Sequence, residues 1–521
     1  MKTKINKIFN KNFLIIVILM IFGFFLRTYY LGDNKVIFGY DQARDAYIAS
    51  QITQGDLKIL GPPVSIGNLY HGVLFYYFIS IPYYLSQGNP IIPIVFVSLL
   101  NIAAIPLIYF IGKILFNKKT GLLAAVLYTI SFDIIQYSNW LANPSLAIPF
   151  SIILYLGISL LLFSNKKTLG VILSAIGYGL SFQSEFFLGY LLIPIIFCKF
   201  FFKIKLTKKQ ILFFILITGL ILSTMILSYF KFGFTFIEGF KNLLQKNSAS
   251  QHFDLFLNLK LIINRLSENF YRTVLPINKN LALIFAVICL IFSIKQIKSK
   301  TKLAKPLLFL WIFLLSQALI IPFGGNNIPY INAGLQLPVI LISTIFIIYL
   351  FNYKKIISFF LIIIFVVSPL LIDIKYNSNT QILYDIPKDL NIKNEIAIVD
   401  YSYQESNGQP FSINSITAPF WVNTLWSYMY QWHGQNKYGY TPSFHGRDQS
   451  GLLSYLSTDP TEAKYFFLII ESSNGIPDSL TNDTIAYEDS FSKIIEVKNF
   501  GEISVQKREL IKPINEINFV K

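Results

Sequence analysis

Asp41-Gln42-Ala43-Arg44-Asp45 places two carboxylates and a guanidinium within five residues, ten positions past the apolar run Phe13–Leu31. An ionised carboxylate can take the proton from an attacking hydroxyl, which is general-base work. A guanidinium can grip phosphate bidentately and stays charged while doing so. Ile48, Ala49 and Ile52 follow with helical spacing, so Asp41, Arg44 and Asp45 are expected on one helix face. The bland alternative is an ion pair in which Arg44 simply joins Asp41 or Asp45. Charge is costly wherever lipid is near, so a cluster beside the bilayer surface is read as a functional site.

The elements that must position this cluster are membrane spans. Of the 521 residues 54% are hydrophobic, 16% aromatic and 14% charged. Runs such as Ile211–Tyr229, Ala282–Ile294 and Ile356–Ile374 read as bilayer crossings, as does Phe13–Leu31. The first is not expected to be a cleaved leader, because further spans follow and no small-residue cleavage site does. The net charge of +17 does not point to nucleic acid, because the lysines fall in short tracts between apolar runs. These tracts are Lys2–Lys11, Lys113–Lys119, Lys166–Lys167, Lys199–Lys209, Lys295–Lys305 and Lys354–Lys355. The positive-inside rule sets all of them in the cytoplasm. That holds only if Leu74–Leu85 lies in the outer interface instead of crossing. It is short, carries Tyr76-Tyr77 and Tyr83-Tyr84, and contains Pro82, which suits an interfacial helix.

About eleven spans follow, roughly 13–31, 91–112, 121–137, 144–163, 168–182, 186–199, 211–229, 281–295, 306–321, 334–351 and 356–374. The expected fold is an all-α polytopic membrane bundle with a C-terminal extramembrane α/β domain. Residues 1–375 form the bundle, with outer loops 32–89 and 231–280, and residues 376–521 the extracytoplasmic domain. The second outer loop carries His252, Asp254, Lys260, Arg265, Glu268 and Arg272. In the C-terminal part Glu395–Asp400, Tyr465–Glu471 and Lys493–Val497 read as strands between turn-rich segments. Phe420–Tyr440, with Trp421, Trp426 and Trp432, is either domain core or a sugar- or acceptor-binding face.

Several chemistries find no support. Cys198 and Cys289 both lie in spans and imply neither a disulfide framework nor a zinc site, and His71, His252, His433 and His445 lack ligand spacing. No Walker-type P-loop, dinucleotide fingerprint or serine nucleophile elbow is present, which argues against an ATP-driven pump. No internal repeat marks an inverted-repeat transporter.

The Asp-x-x-Arg opening of the first outer loop resembles the membrane-embedded GT-C glycosyltransferases. The resemblance is to the family 39 type, the branch of protein O-mannosyltransferases and of the aminoarabinose transferases that modify lipid A. Gly67-Asn-Leu-Tyr-His71-Gly-Val-Leu74-Phe-Tyr-Tyr77 resembles the His-x-Pro-Leu-Tyr-Tyr stretch of that family. Asn139-Trp-Leu-Ala-Asn143-Pro144-Ser145 falls where the family carries a second outer loop, often with an acid. The likeness covers roughly residues 13–350. It implies a transferase that takes a sugar from a polyprenyl-phosphate carrier on the outer leaflet, with its base at Asp41 and its loop arginine at Arg44.

Three positions depart from the family pattern. Gln42 stands where an acid often follows, Asn143 where an acid is common, and Val73 in place of the usual proline. A metal site shared by Asp41 and position 143 is thereby weakened; the residues establish no cofactor, and a divalent metal stays open. Glu185 either supplies the missing charge or caps a helix. Asn326-Asn327-Ile328-Pro329-Tyr330, after Gly324-Gly325 and ahead of Pro338, lines a lipid-carrier groove or is a plain turn. The candidate substrate- and phosphate-binding residues are Arg44, Asp45, His71, Asn143, Glu185, Arg265, Arg272 and Tyr330.

A polyprenyl phosphate leaves without a general acid. Fixed cations aimed at its growing charge contribute several kcal/mol; Arg44, Arg265 and Arg272 are the candidates, the last two being equally suited to snorkelling. One base and no covalent nucleophile imply single displacement with inversion. The implied partners are a polyprenyl-phosphate-linked sugar, a protein, lipid or glycan acceptor and membrane lipids, not nucleic acid. The implied setting is a multi-pass cell membrane protein with a cytoplasmic N-terminus and an extracytoplasmic active site. The rivals are an O-antigen ligase or polymerase-like enzyme, and a lipid-linked sugar flippase or other transporter. A transporter calls for mid-membrane charge, and Asp133 and Glu185 sit towards span ends. A non-catalytic scaffold with an outer sensory domain leaves Asp41 and Arg44 unexplained.

Overall fold

The computed structural model describes residues 11–64, 69–232, 255–321, 329–378, 389–449, 453–472, 475–517 and 519. Gly67, Asn68, His252, Asp254 and the 324–328 part of the expected outer turn lie outside the described residues. The chain forms two compact units. The first takes its described residues from Met1–Tyr29, Leu57–Phe78 and Ile94–Lys375, the second from Tyr30–Asp56, Ile79–Pro93 and Tyr376–Lys521.

The first unit is helical. Among the described residues five helices are long and apolar enough to cross a membrane: Lys11–Asp33, Ile91–Leu115, Pro144–Phe163, Lys279–Lys298 and Lys355–Asn377. The number is seven if each of two bent pairs is one span. The expected spans 121–137 and 211–229 are these bent pairs, Lys118–Thr129 with Phe132–Asn139 at 50° and Lys208–Ile221 with Ser223–Lys231 at 57°. At the first break Ser131 has an extended backbone, and its hydroxyl donates to the Thr273 carbonyl at 2.8 Å. Apolar periodicity runs straight through such a break, which is why it reads as one helix. Shorter apolar helices occupy Leu74–Leu85, Phe186–Phe201, Ala304–Leu319 and Gln336–Phe351.

Small residues set the spacing of these helices, as they do where no hydrophobic effect drives helices together. A Cβ on Gly177 would overlap the backbone of Leu154, and one on Gly157 the backbone of Ser174, so Pro144–Phe163 and Lys167–Ser184 lie backbone to backbone. Arginine is also accommodated among the apolar side chains, with Arg27 fully buried. Arg27 donates to Asn101 Oδ1 at 3.1 Å, to the Gly23 carbonyl at 3.0 Å and to the Thr129 carbonyl at 3.1 Å. A guanidinium there is tolerated because protein acceptors replace water.

The second unit is a mixed five-stranded sheet with flanking helices. Its strands are β1 (Phe411–Ile416), β2 (Ser443–Phe444), β3 (Tyr465–Ile470), β4 (Ser492–Phe500) and β5 (Ile503–Leu510), in the order β2-β1-β3-β5-β4. β1 pairs in parallel with β2 and β3, and β5 antiparallel with β3 and β4. Every residue of β1 is buried, as befits a central strand. β4 is an exposed edge whose Lys493, Glu496 and Lys498 discourage further pairing.

The expected strand Glu395–Asp400 is instead part of the helix Ile392–Glu405. Asn391 caps it, its side chain accepting from the Asn394 amide. Ile392, Glu395, Ile398, Val399 and Ser402 form the buried stripe. The run Ile396-Ala397-Ile398-Val399 mimics a strand only because it is short. The Tyr40–Thr53 helix also belongs to this unit. Gln42 accepts from the Gly39 amide at 3.0 Å and so closes its first turn.

Candidate functional site

The Tyr40–Thr53 helix brings Asp41, Arg44 and Asp45 together as their spacing demanded. Arg44 donates through Nη1 to Asp41 Oδ1 at 2.6 Å, and through Nε and Nη2 to Asp45 Oδ1 at 2.8 and 2.7 Å. Its guanidinium carbon sits 5.6 Å from the centre of the Tyr40 ring. The two acids are unequal. The Asp45 side chain is 3% exposed, whereas that of Asp41 is 64% exposed, with Arg44 at 10% between them. Asp45 thus balances the guanidinium charge in the interior, and Arg44 fixes the outer acid from one side. Gln42 is spent on the helix start. Three guanidinium nitrogens of Arg44 are hydrogen-bonded to these carboxylates, Nη1 tying it to Asp41.

In the first unit His71, Asn143 and Glu185 meet at one turn. The His71 Nδ1 accepts from the Phe186 amide at 3.1 Å and lies 3.8 Å from Glu185 Oε1. Accepting at Nδ1 puts the imidazole proton on Nε2. Asn143 donates to the Ser184 carbonyl at 2.7 Å. Glu185 is fully buried and accepts from the Phe187 amide at 3.2 Å, the cap geometry of the short Phe186–Leu191 helix. Of its two expected roles, capping is the one its hydrogen bond performs.

A second group in this unit lies on the Leu255–Thr273 helix, where Arg265 and Arg272 share Glu268 at 3.5 and 2.7 Å. Asp133 is buried, accepts from Gln336 Nε2 at 2.8 Å, and stands in the field of Arg272 and Glu268. Tyr330 packs against Trp140, ring centres 5.7 Å apart. Arg27 and Gln336 join the polar groups of this unit without being among the candidates that the sequence offers. A lone arginine inside an apolar run was signal enough for Arg27, and nothing local marks Gln336. The spacing Arg265-x-x-Glu268-x-x-x-Arg272 also announces a shared ion pair.

Two alternative centres fail on chemistry. Ser412 Oγ and His445 Nδ1 lie 2.9 Å apart, and His445 Nε2 and Glu488 Oε1 3.1 Å apart, which imitates a hydrolase triad. All three are buried, and Asn414 also donates to Glu488 at 2.6 Å, so this is a packed polar core. Among the described residues no three His, Cys, Asp or Glu side chains gather as a metal would need. Between Asp41 and Asp45 the guanidinium of Arg44 takes the place of a cation. These donors do not fit a divalent metal.

The family model for dolichyl-phosphate-mannose-protein mannosyltransferases matches residues 70–229. The fold is similar to that of ArnT from Cupriavidus metallidurans in the apo state, with a TM-score of 0.57 at 9% identity over 95% of this chain and 97% of that one. The same enzyme bound to undecaprenyl phosphate gives 0.55 at 9% identity, with the same coverage. The Archaeoglobus fulgidus oligosaccharyltransferase tethered to an acceptor peptide gives 0.50 at 13% identity, over 88% of this chain and 68% of that one. No curated protein matches the chain in sequence. The GT-C resemblance therefore holds at the level of the superfamily, and the chain is a membrane protein of that fold.

Proposed function

We propose that this GT-C superfamily protein transfers a sugar from a polyprenyl-phosphate carrier to an acceptor hydroxyl or amine on the outer face of the membrane. The observation that carries the proposal is Asp41, an exposed carboxylate fixed by a guanidinium whose charge a buried second acid balances. A base needs a wet, oriented carboxylate, and Asp41 meets both conditions. The undecaprenyl phosphate bound to the C. metallidurans ArnT is a carrier of the proposed chemistry.

Asp41 takes the acceptor proton as the acceptor oxygen or nitrogen attacks the anomeric carbon from the face opposite the phosphate. The glycosyl–phosphate bond breaks, the configuration inverts, and the carrier phosphate leaves with its electrons. Arg265 and Arg272, held at fixed spacing by Glu268, are the cations assigned to that phosphate, with Tyr330 assigned to the carrier. Arg44 and Asp45 position Asp41, while His71, Asn143 and Glu185 shape the turn that follows the first outer loop. The transferred group is a hexose or pentose. This assignment goes with about eleven spans, a cytoplasmic N-terminus, an interfacial Leu74–Leu85 helix and an extracytoplasmic domain at 376–521.

The transporter alternative is weakened by Asp133 and Glu185, which are tied to Gln336 and to the Phe187 amide. Purified protein in vesicles with radiolabelled polyprenyl-phosphate sugars separates the two. Label is expected to leave the carrier for an acceptor, releasing polyprenyl phosphate. Label that crosses the bilayer still attached to its carrier, with none released, would identify a flippase.

A further inference from the structure

Within the second unit a cleft of about 440 Å³ opens among fourteen residues, and none of them is charged. That volume lies within the range of about 300–1,000 Å³ usual for small-molecule sites. In a chain with 44 Lys and Arg and 27 Asp and Glu, a cleft lined by neutral groups alone selects against ions. Its chemistry is of two kinds: aromatic rings, and side-chain amides and hydroxyls.

The base of the cleft is prebuilt. Tyr47 and Tyr428 are buried, their rings edge to face at 5.3 Å. Both hydroxyls are engaged: Tyr47 shares a hydrogen bond with Ser427 Oγ at 2.8 Å, and Tyr428 donates to the Gly88 carbonyl at 2.5 Å. Each ring is thus anchored by its hydroxyl within the second unit. Tyr83 also lines the cleft, and its buried hydroxyl meets no hydrogen-bond partner among the described residues.

The mouth is different. Tyr84 and Tyr455 are 69% and 48% exposed, and Trp432 is half-buried. Gln87, Gln431 and Asn436 are exposed beside them. Trp432 is seated by a constrained turn. Gly88 has φ +88°, and a Cβ on it would stand 3.2 Å from the Trp432 ring, so only glycine serves both backbone and indole. Gln431 and Trp432 sit on a π-helical turn, Tyr430–Gly434, a distortion that recurs at functional positions.

Flat rings with one wet face, bordered by neutral amides that both donate and accept, match one ligand class. A sugar ring presents an apolar C–H face to an aromatic plane and a rim of hydroxyls to amides. We propose that this cleft binds a neutral oligosaccharide, one sugar ring stacked on Trp432 and its hydroxyls paired with Gln87, Gln431 and Asn436. It deepens the transferase proposal by giving the acceptor a class, an uncharged glycan, and rests on that proposal only for the use made of the bound sugar. Binding is measured apart from transfer, so either can fail alone.

The test is calorimetric titration of the full-length chain with mannotriose, maltotriose, chitotriose and trigalacturonate. The detergent must carry no sugar, because an alkyl maltoside would itself present a neutral disaccharide to the cleft. At least one neutral trisaccharide is expected to bind with Kd below about 1 mM, and trigalacturonate at least about tenfold more weakly, having no cation to meet. Trp432→Ala is expected to weaken binding by about tenfold or more, whereas Trp432→Phe, which keeps a ring, stays within about threefold. Trp432 is partly buried, so an unchanged melting temperature in both variants separates lost stacking from lost folding. Binding by none of the neutral probes, or equal binding by wild type and Trp432→Ala, would overturn the proposal. So would quenching of Trp432 by brominated lipid chains with no response to sugar, which would make the ring a membrane anchor.

Discussion

Replacing Asp41 by Asn is expected to cut sugar transfer by about 10²–10⁴-fold, the range for loss of a positioned general base, with donor binding near wild type. The substitution is nearly isosteric. Its amide oxygen can still accept from Arg44 Nη1, and Asp45 continues to hold the other two donors. The side chain is 64% exposed, so no buried group is orphaned and the fold should not suffer. What disappears is the capacity to take a proton. The change should therefore fall on kcat, with KM for the donor little altered. Turnover within about threefold of wild type would remove Asp41 from the chemistry.

The second large effect concerns stability. Glu395 and Glu471 are both buried in the second unit and lie in each other's field. Burial pushes the Glu471 carboxyl up to about 7, against the pull of hydrogen bonds from the Ala418 amide and the Trp426 indole. Burial, and then the Glu471 charge, push Glu395 well above the ordinary carboxylate range. Its oxygens have no hydrogen-bond partner among the described residues. Both carboxyls hold their protons more tightly folded than unfolded. Their contribution is thus fully present below the usual carboxylate range and is lost as pH rises through about 7 for Glu471.

From about pH 5 to about pH 8 the second unit should lose about 3 kcal/mol through Glu471 alone, since each tenfold difference in proton affinity between the folded and unfolded chain is worth about 1.36 kcal/mol. Hydrogen exchange of β1 and β3 in the full-length protein reports this directly. Glu395→Gln should protect those strands at the higher pH and change little at the lower one. Equal protection at both values, or more at the higher, would contradict the assignment.

The sequence carried the local information well. The 40–53 helix and its charged face follow from spacing within one turn, and the five to seven long apolar helices among the described residues from composition, fewer than the about eleven spans that the apolar runs suggest. Less legible was anything decided by distant packing. The bend at Ser131 depends on a hydrogen bond to Thr273, 142 residues away. Glu395–Asp400 reads as a strand until Asn391 is recognised as the cap of the Ile392–Glu405 helix and Glu395 as a buried acid. His71 and Glu185 come together only because the turn after the Lys167–Ser184 helix returns to the first loop's end. Two tryptophans of Phe420–Tyr440 divide by role: Trp426 is core, bonded to Glu471, while Trp432 faces a cleft whose wall includes Gly88. No pattern within that segment separates the two.

Asp41 is proposed as an outward-facing acid within reach of a lipid-borne glycosyl phosphate. A membrane-impermeant carbodiimide with an amine, added to right-side-out vesicles, tests this most directly. Mass spectrometry is predicted to find the adduct on Asp41, with transfer lost in proportion, and saturating polyprenyl-phosphate sugar is predicted to prevent both. Modification of Asp41 only in inverted vesicles, or from the outside without loss of transfer, would contradict it.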